Sequence, residues 1–331
     1  MKSKIKFGII GCSLIAKKST IPAIITNKNS IVEMIGSRSI TKAEKFAKEF
    51  DCNKFGNYED VLKNKNIDAV YISLPISIHE KWAIKAAKAG KHILCEKSLT
   101  LSYASAKKIV KECKNNNVKI RENFVFKFHP QHKKILDIIT KNKIGTVHSF
   151  SAKYGFNSLF SNKNFRFNKK LGGGALNDIG CYLISACSHV FKDLPTSVFC
   201  NLEINKKFNI DYRGSILLTF SKNRTALVSF SYNDYFQSTY DIWGTRGLIR
   251  TERAFNVSKN MKNSIYLNQN DKIKKILISP ANQFQLAIED FCSKIKHNSN
   301  NNFEKEILNQ ALIMDAVRRS SSKNSVIKIK S

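Results

Sequence analysis

The first third of the chain alternates two hydrophobic rhythms. KIKFGII (4–10), IVEMIGS (31–37), IDAVYISLP (67–75), KHILC (91–95) and VKIRENF (118–124) are compact apolar runs of strand length. Between them lie TKAEKFAKEF (41–50), a stretch with Trp82, Ala83, Ala86 and Ala87 on one face, and SYASAKKIVKECKNN (102–116), all with helical spacing. Gly90 stands where the C′ residue of the second of these helices belongs. Strands separated by helices pair in parallel, so the pattern predicts a doubly wound α/β domain. Ligands of such sheets bind beyond the carboxyl ends of the strands, which puts 11–16, 37–42, 73–79, 95–97 and 121–123 on one rim.

The rhythm changes after residue 123. A helix is predicted over PQHKKILDIITKN (130–142), a strand over TVHSFSAKYGF (146–156), and a second helix that starts after the glycines of GGGALNDIGCY (172–182), near Ala175 to Asp178, and runs to about Phe191. GSILLTFS, TALVSFSY, STYDIWG and GLIRTE then repeat with period two, the sign of an antiparallel sheet with one apolar face. Helices over 282–296 and 304–320, a polar loop at 297–302 and a final strand VIKIK (326–330) complete the reading. The expectation is an α/β Rossmann domain over 1–123 and, over 124–331, an α+β domain with a large, mainly antiparallel sheet.

Composition changes little in this picture. A length of 331 residues suits two domains, and 42% hydrophobic with 24% charged residues suits a globular chain. The net charge of +31 is extreme, but lysine is scattered among asparagine and isoleucine rather than gathered, which argues against a nucleic-acid partner. Eight cysteines occur singly from Cys12 to Cys292, so neither a disulfide framework nor a metal site is expected. The apolar run in MKSKIKFGIIGC is too short for a signal peptide and no segment is long enough to span a membrane, so the expected location is the cytoplasm.

The rim carries the chemistry. GCSLIA (11–16) keeps one glycine of a dinucleotide fingerprint, Gly11, with Ser13 and Ala16 as small residues in the other places; a plain strand-to-helix turn would read the same way. The second strand ends in Ser37-Arg38, with Lys42 one turn on and no carboxylate to hold a ribose 2′-hydroxyl. A hydroxyl and cations there suit a 2′-phosphate, which favours NADP(H), with NAD(H) as the alternative; a solvated loop arginine is the bland reading.

AGKHILCEKSL (89–99) resembles the signature of the Gfo/Idh/MocA family of NAD(P)-dependent oxidoreductases. The resemblance extends through GCSLIA, LPISIH (74–79), ENFVFKFHPQHKKI (122–135), GGGALNDIGCY and WGTRGLI (243–249), most closely in the branch of glucose–fructose oxidoreductase, dihydrodiol and xylose dehydrogenases and sugar-nucleotide 3-ketoreductases. It implies hydride transfer at a carbohydrate carbonyl or alcohol, with a nucleotide-linked keto sugar as the leading substrate and a free aldose or trans-dihydrodiol as the alternative. A non-catalytic dinucleotide-binding regulator is the reading from another class. In the implied catalytic set, Lys97 stabilises the reacting oxygen, Tyr182 moves the proton and Asp178 lies four residues before it on the same helical face. The implied cofactor contacts are Gly11, Ser13, Leu14, Ile15, Ser37, Arg38, Lys42, Ser73, Leu74, Pro75, His79, Glu96, Lys97 and Asn123. Asn123, Phe156 and Arg166 join the catalytic residues around the substrate, Arg166 as a partner for phosphate or sugar hydroxyl or as an ordinary loop cation. Two positions depart from the family pattern, Ser98 for proline and Ile76 for asparagine. The open sheet is implied to pair subunits into homodimers or homotetramers.

Overall fold

The computed structural model describes residues 4–158, 160, 164–297 and 302–330, so most of the polar loop expected at 297–302 lies outside the described residues. The chain forms two compact units. The first comprises Met1–Asn123 together with Phe284–Leu308, and the second Phe124–Gln283 with Asn309–Ser331. The sequence offered one break, at 123/124; the return at Phe284 leaves no mark in composition.

In the first unit β1 (Ile5–Ile10), α1 (Ile21–Thr26), β2 (Ser30–Gly36), α2 (Ile40–Glu49), β3 (Phe55–Gly56), α3 (Tyr58–Lys63), β4 (Ala69–Ile72), α4 (His79–Lys88), β5 (His92–Cys95), α5 (Tyr103–Asn115) and β6 (Ile120–Glu122) follow one another. The strands pair in parallel in the order β3-β2-β1-β4-β5-β6. The order reverses between β1 and β4, and such a switch point opens a crevice at the strand ends. The short β3 and α3 escape a reading by periodicity because neither is long enough to show one. Helix starts follow local chemistry: Ser39 and Ser102 accept hydrogen bonds from the backbone of Lys42 and Ser105, and Gly90, at φ 70°, ends α4.

The second unit contains α6 (Pro130–Thr140), β7 (Val147–Gly155), α7 (Cys181–Phe191), β8 (Ser197–Asn205), β9 (Ile210–Thr219), β10 (Thr225–Ser231), β11 (Gln237–Gly244), β12 (Gly247–Thr251), β13 (Asn263–Gln269) and β14 (Lys272–Ile278). Helix α8 (Gln283–Lys296) belongs to the first unit; α9 (Phe303–Lys323) begins there and ends in the second, before β15 (Ile327–Lys328). The sheet order is β14-β13-β12-β11-β7-β10-β9-β8-β15. It is antiparallel except at its centre, where β7 and β10 run in parallel. Alternation sets its faces. Phe150, Ile216, Leu218, Val228, Phe230, Tyr240 and Ile242 are buried on one side, whereas Leu227 and Trp243 are 57% and 59% exposed on the other. That outer face holds an open hollow of ≈ 550 Å³ lined by Phe199, Leu217 and Leu227 among polar residues.

The HPQH segment is a buried polar knot that ties α6 to the sheet. Gln131 is fully buried; its amide donates to the carbonyls of Arg253 and Ala254, and its oxygen accepts from Thr251 and Asn263. His132 lies between the Ala254 carbonyl at 2.9 Å and the Tyr240 hydroxyl at 2.8 Å. A carbonyl only accepts, so Nε2 carries the proton and Nδ1 accepts from Tyr240, which satisfies the neutral ring completely. All eight cysteines are buried and unbridged. Among the described residues no helix is long and apolar enough to cross a membrane.

Candidate active site

The β1 turn shows why its residue types are there. Gly11 has φ 109°, and a Cβ on it would lie 2.7 Å from the Ser73 carbonyl oxygen, so only glycine lets the ends of β1 and β4 approach. Ser13 does more than stay small. Its hydroxyl accepts from the Ala16 backbone at 3.1 Å and donates to Ser73 at 2.9 Å, and Ser73 in turn donates to the Gly11 carbonyl at 2.9 Å. The next turn, Ala16–Thr20, is a π-helical one that runs into α1. Leu14 is 66% exposed and Ile15 is also exposed, apolar surface on a polar rim. Leu74 and Pro75 are half-buried beside this turn.

At the end of β2, Ser37 is buried and its hydroxyl accepts from the Ser39 backbone. Arg38 and Lys42 are exposed, and the Lys42 ammonium lies 6.0 Å from the Phe46 ring. These features fit a dinucleotide: a glycine turn that a Cβ would fill, and a β2 end that offers cations in place of a carboxylate.

His79 stands behind the rim. It is 1% exposed, with Nε2 2.7 Å from the Leu74 carbonyl and Nδ1 3.1 Å and 3.2 Å from those of Ser98 and Leu99. Burial lowers its pKa against the pull of these carbonyls. The neutral imidazole has one N–H to donate to these carbonyls, and its buried ring packs between the loop after β4 and the loop after β5.

Glu96 and Lys97 follow β5 directly, both half-buried, and the Lys97–Ser98 peptide is cis. Oε1 of Glu96 accepts from the Tyr71 hydroxyl at 2.7 Å and from the Asn123 amide at 2.9 Å. Tyr71 is fully buried in β4 and accepts from Thr20 at 3.1 Å. Burial raises the Glu96 pKa, while the donors Asn123 and Tyr71 and the Lys97 charge favour the anion. Burial and that carboxylate together push the Tyr71 phenol well above its ordinary value, so it acts as a donor. The sequence reading missed Tyr71; a tyrosine in an otherwise apolar strand was the available signal. The second amide atom of Asn123, Oδ1, is buried without a partner.

In the second unit the three glycines make a turn ahead of the helical segment. Gly172 and Gly174 have φ 86° and 119°. A Cβ on Gly173 would lie 2.4 Å from the Arg166 carbonyl, and one on Gly174 would lie 2.3 Å from Asp211 Oδ1. The Asp211 carboxylate accepts from the Leu176 backbone and so caps the turn from β9; burial raises its pKa, opposed first by that amide. Leu176–Gly180 is π-helical and α7 begins only at Cys181. The four-residue step from Asp178 to Tyr182 thus crosses a wider turn than the α-helix the sequence suggested.

Asp178 Oδ2 accepts from Arg166 Nε at 2.7 Å and from the Tyr232 hydroxyl at 3.1 Å. Arg166 is therefore not a free loop cation. Burial opposes its charge, but Asp178 outweighs burial and raises its pKa. Tyr182 is half-buried in an aromatic wall, its ring 5.6–5.8 Å from those of Phe124, Phe126, Tyr154 and Phe255. Phe156 is half-buried with its ring 5.7 Å from that of Tyr232. Neither Tyr232 nor Asp211 was legible as a site residue, because their partners are 54 and 35 positions away.

Residues 5–124 match the oxidoreductase family with an NAD-binding Rossmann fold, and residues 132–250 match the GFO/IDH/MocA C-terminal domain. An oxidoreductase of Rhizobium meliloti is 32% identical over 97% of this chain and 98% of its own. The dTDP-3,4-didehydro-2,6-dideoxy-alpha-D-glucose 3-reductase of Saccharopolyspora spinosa is 30% identical over 89% of each chain. Among solved structures, the 3-ketoreductase KijD10 of Actinomadura kijaniata, in complex with NADP and TDP-benzene, superposes with a TM-score of 0.91 at 28% identity, covering 96% of this chain and 98% of that one. With both halves matched and relatives aligned almost end to end, this chain belongs to the Gfo/Idh/MocA family of oxidoreductases.

Proposed function

We propose that the chain reduces the carbonyl of a nucleotide-linked keto sugar and uses NADP(H) in preference to NAD(H). The observation that carries the reading is the local setting of the two groups that the family resemblance puts at the reacting oxygen, Lys97 directly after β5 and Tyr182 opening α7 in an aromatic wall. The ketoreductase relatives support the substrate class, and the NADP in KijD10 supports the cofactor, as does a β2 end that presents Ser37, Arg38 and Lys42. Gly11, Ser13, Leu14 and Ile15 would hold the pyrophosphate, Ser73, Leu74 and Pro75 would flank it, and Glu96 and Asn123 would serve the nicotinamide side. When bound, the dinucleotide supplies the hydride that the carbonyl carbon accepts.

The chain's own residues handle the oxygen. Lys97 donates a hydrogen bond to the carbonyl oxygen and stabilises the negative charge that grows there. Tyr182 gives its phenolic proton to that oxygen, completing the alcohol, and regains a proton from solvent. Asp178, Arg166 and Phe156 border the sugar. The outer face of the nine-stranded sheet, where Leu227 and Trp243 are more than half exposed among polar residues, supports assembly into a homodimer or homotetramer through that face.

Turnover of a keto-sugar nucleotide by Lys97→Ala and Tyr182→Phe tests the assignment. Each should lose about a hundredfold or more in kcat. Rates near wild type in both would overturn it. Faster turnover of free aldoses or trans-dihydrodiols than of any sugar nucleotide would move the substrate to the second reading.

A further inference from the structure

The loop before the glycines is seated by its backbone before its side chain does anything. Gly173 leaves room for the Arg166 carbonyl, and the Gly174 amide donates to that carbonyl at 2.9 Å. Arg166 then lies with its guanidinium 5.0 Å from the Phe165 ring and its Nε on Asp178. From the other side comes Tyr232, just beyond β10 and fully buried. Its ring is held by Phe156 at 5.7 Å and Phe167 at 5.6 Å, and its hydroxyl reaches both the Gly174 carbonyl at 3.2 Å and Asp178 Oδ2. Two donors from separate elements thus converge on one carboxylate oxygen within the π-helical turn that leads into Tyr182.

We propose that Tyr232, together with Arg166, is a positioning residue of the reaction: the pair pins the Asp178 carboxylate as an acceptor and so fixes the turn that presents Tyr182. Tyr232 touches no reacting atom in this scheme and acts only through Asp178. Carboxylates that receive charge-assisted bonds from a guanidinium and a buried phenol are held more tightly than by either alone, and widened helical turns recur at sites where one side chain must be aimed. The proposal rests on the reading of Asp178 and Tyr182 as active-site residues.

Tyr232→Phe keeps the ring and removes only the hydroxyl. Loss of a hydrogen bond to a charged group should lower kcat about tenfold or more, with KM for sugar nucleotide and for NADPH within about twofold of wild type. In an Asp178→Asn background the same substitution should lower kcat no further, and the shift in melting temperature that it causes in the wild type should shrink in parallel. An unchanged kcat, an equal loss in both backgrounds, or a rise in KM alone would each overturn the proposal. Should Tyr232→Phe not fold, Arg166→Gln carries the test through the second donor: kcat should fall about tenfold or more with KM for NADPH within about twofold of wild type, and Arg166→Lys should restore part of it; absence of both the fall and the rescue overturns it. Near wild-type rates in Lys97→Ala and Tyr182→Phe would instead sink the functional reading beneath it, so the two failures are distinguishable.

Discussion

In the parallel sheet, the polar groups of the candidate site stand in loops beyond the strand ends, and short contacts among neighbouring loops hold them: Ser13 on Ser73, His79 on the carbonyls of Leu74, Ser98 and Leu99. In the nine-stranded sheet the corresponding groups are sunk among packed rings and held over long chain separations, Asp178 by Tyr232 and the glycine turn by Asp211. The first arrangement leaves its cations Arg38 and Lys42 exposed, so these can change without disturbing a core. The second joins binding and folding. A side chain that aims Tyr182 is also a side chain that fills the interior.

The sharpest way to break that contrast is Gly174→Ala. Its φ of 119° and the 2.3 Å approach to Asp211, itself fixed by the Leu176 amide, leave a methyl nowhere to go. We expect a loss of about 3 kcal/mol in unfolding free energy, measured by urea denaturation, and a loss under 1 kcal/mol would show that the turn is looser than its contacts imply. Next, Arg38→Ala on the opposite unit should weaken NADPH binding by about ten- to a hundredfold, leave NADH binding within about twofold and leave the melting temperature alone. Equal weakening for the two cofactors, read by calorimetric titration, would remove Arg38 from 2′-phosphate recognition.

A third effect is one of pH. Burial drives the pKa of His132 down from 6.5 to about 3 and that of His129 to about 4. Above pH 6.5 these rings are neutral in both states and cost nothing. Below it the unfolded chain takes up protons that the folded rings refuse, so stability falls as pH drops from 6.5 towards 4, by about 1.4 kcal/mol per pH unit for each ring. His129→Asn, which keeps a residue able to cap α6, should remove one of the two contributions. An unchanged slope of unfolding free energy between pH 6 and 4.5 would mean that His129 is protonated in the folded protein.

The alternating strands and helices of the first unit were legible because each is a single period held long enough to count, and the glycine turn and EKS loop because their residue types are chemically unusual at strand ends. What escaped is physical in kind. The β3–α3 pair is too short for a period, and the parallel β7–β10 pairing depends on a register that no single strand encodes. HPQH belongs to the family-like pattern, yet its two histidines and glutamine serve the interior, where Gln131 meets four partners. His79 stands in that pattern too, and its ring is buried against backbone carbonyls. Tyr71 and Tyr232 do the opposite: each looks like strand filling and ends on a carboxylate of the candidate site.

The return of the chain at Phe284 governs how the protein can be made. Helix α8 brings Ile288, Phe291 and Cys292 into the same core as Phe7 and Ile24, and the buried Arg121 guanidinium donates to Asp290 and the Ala287 carbonyl beneath the rings of Phe291 and Phe303. During synthesis the core of the first unit stays incomplete until residues 284–308, which follow the whole of 124–283, have left the ribosome. A fragment cut at residue 123 would stay permanently in that unfinished condition, with oily surface turned to water and a buried arginine stripped of its counter-charge.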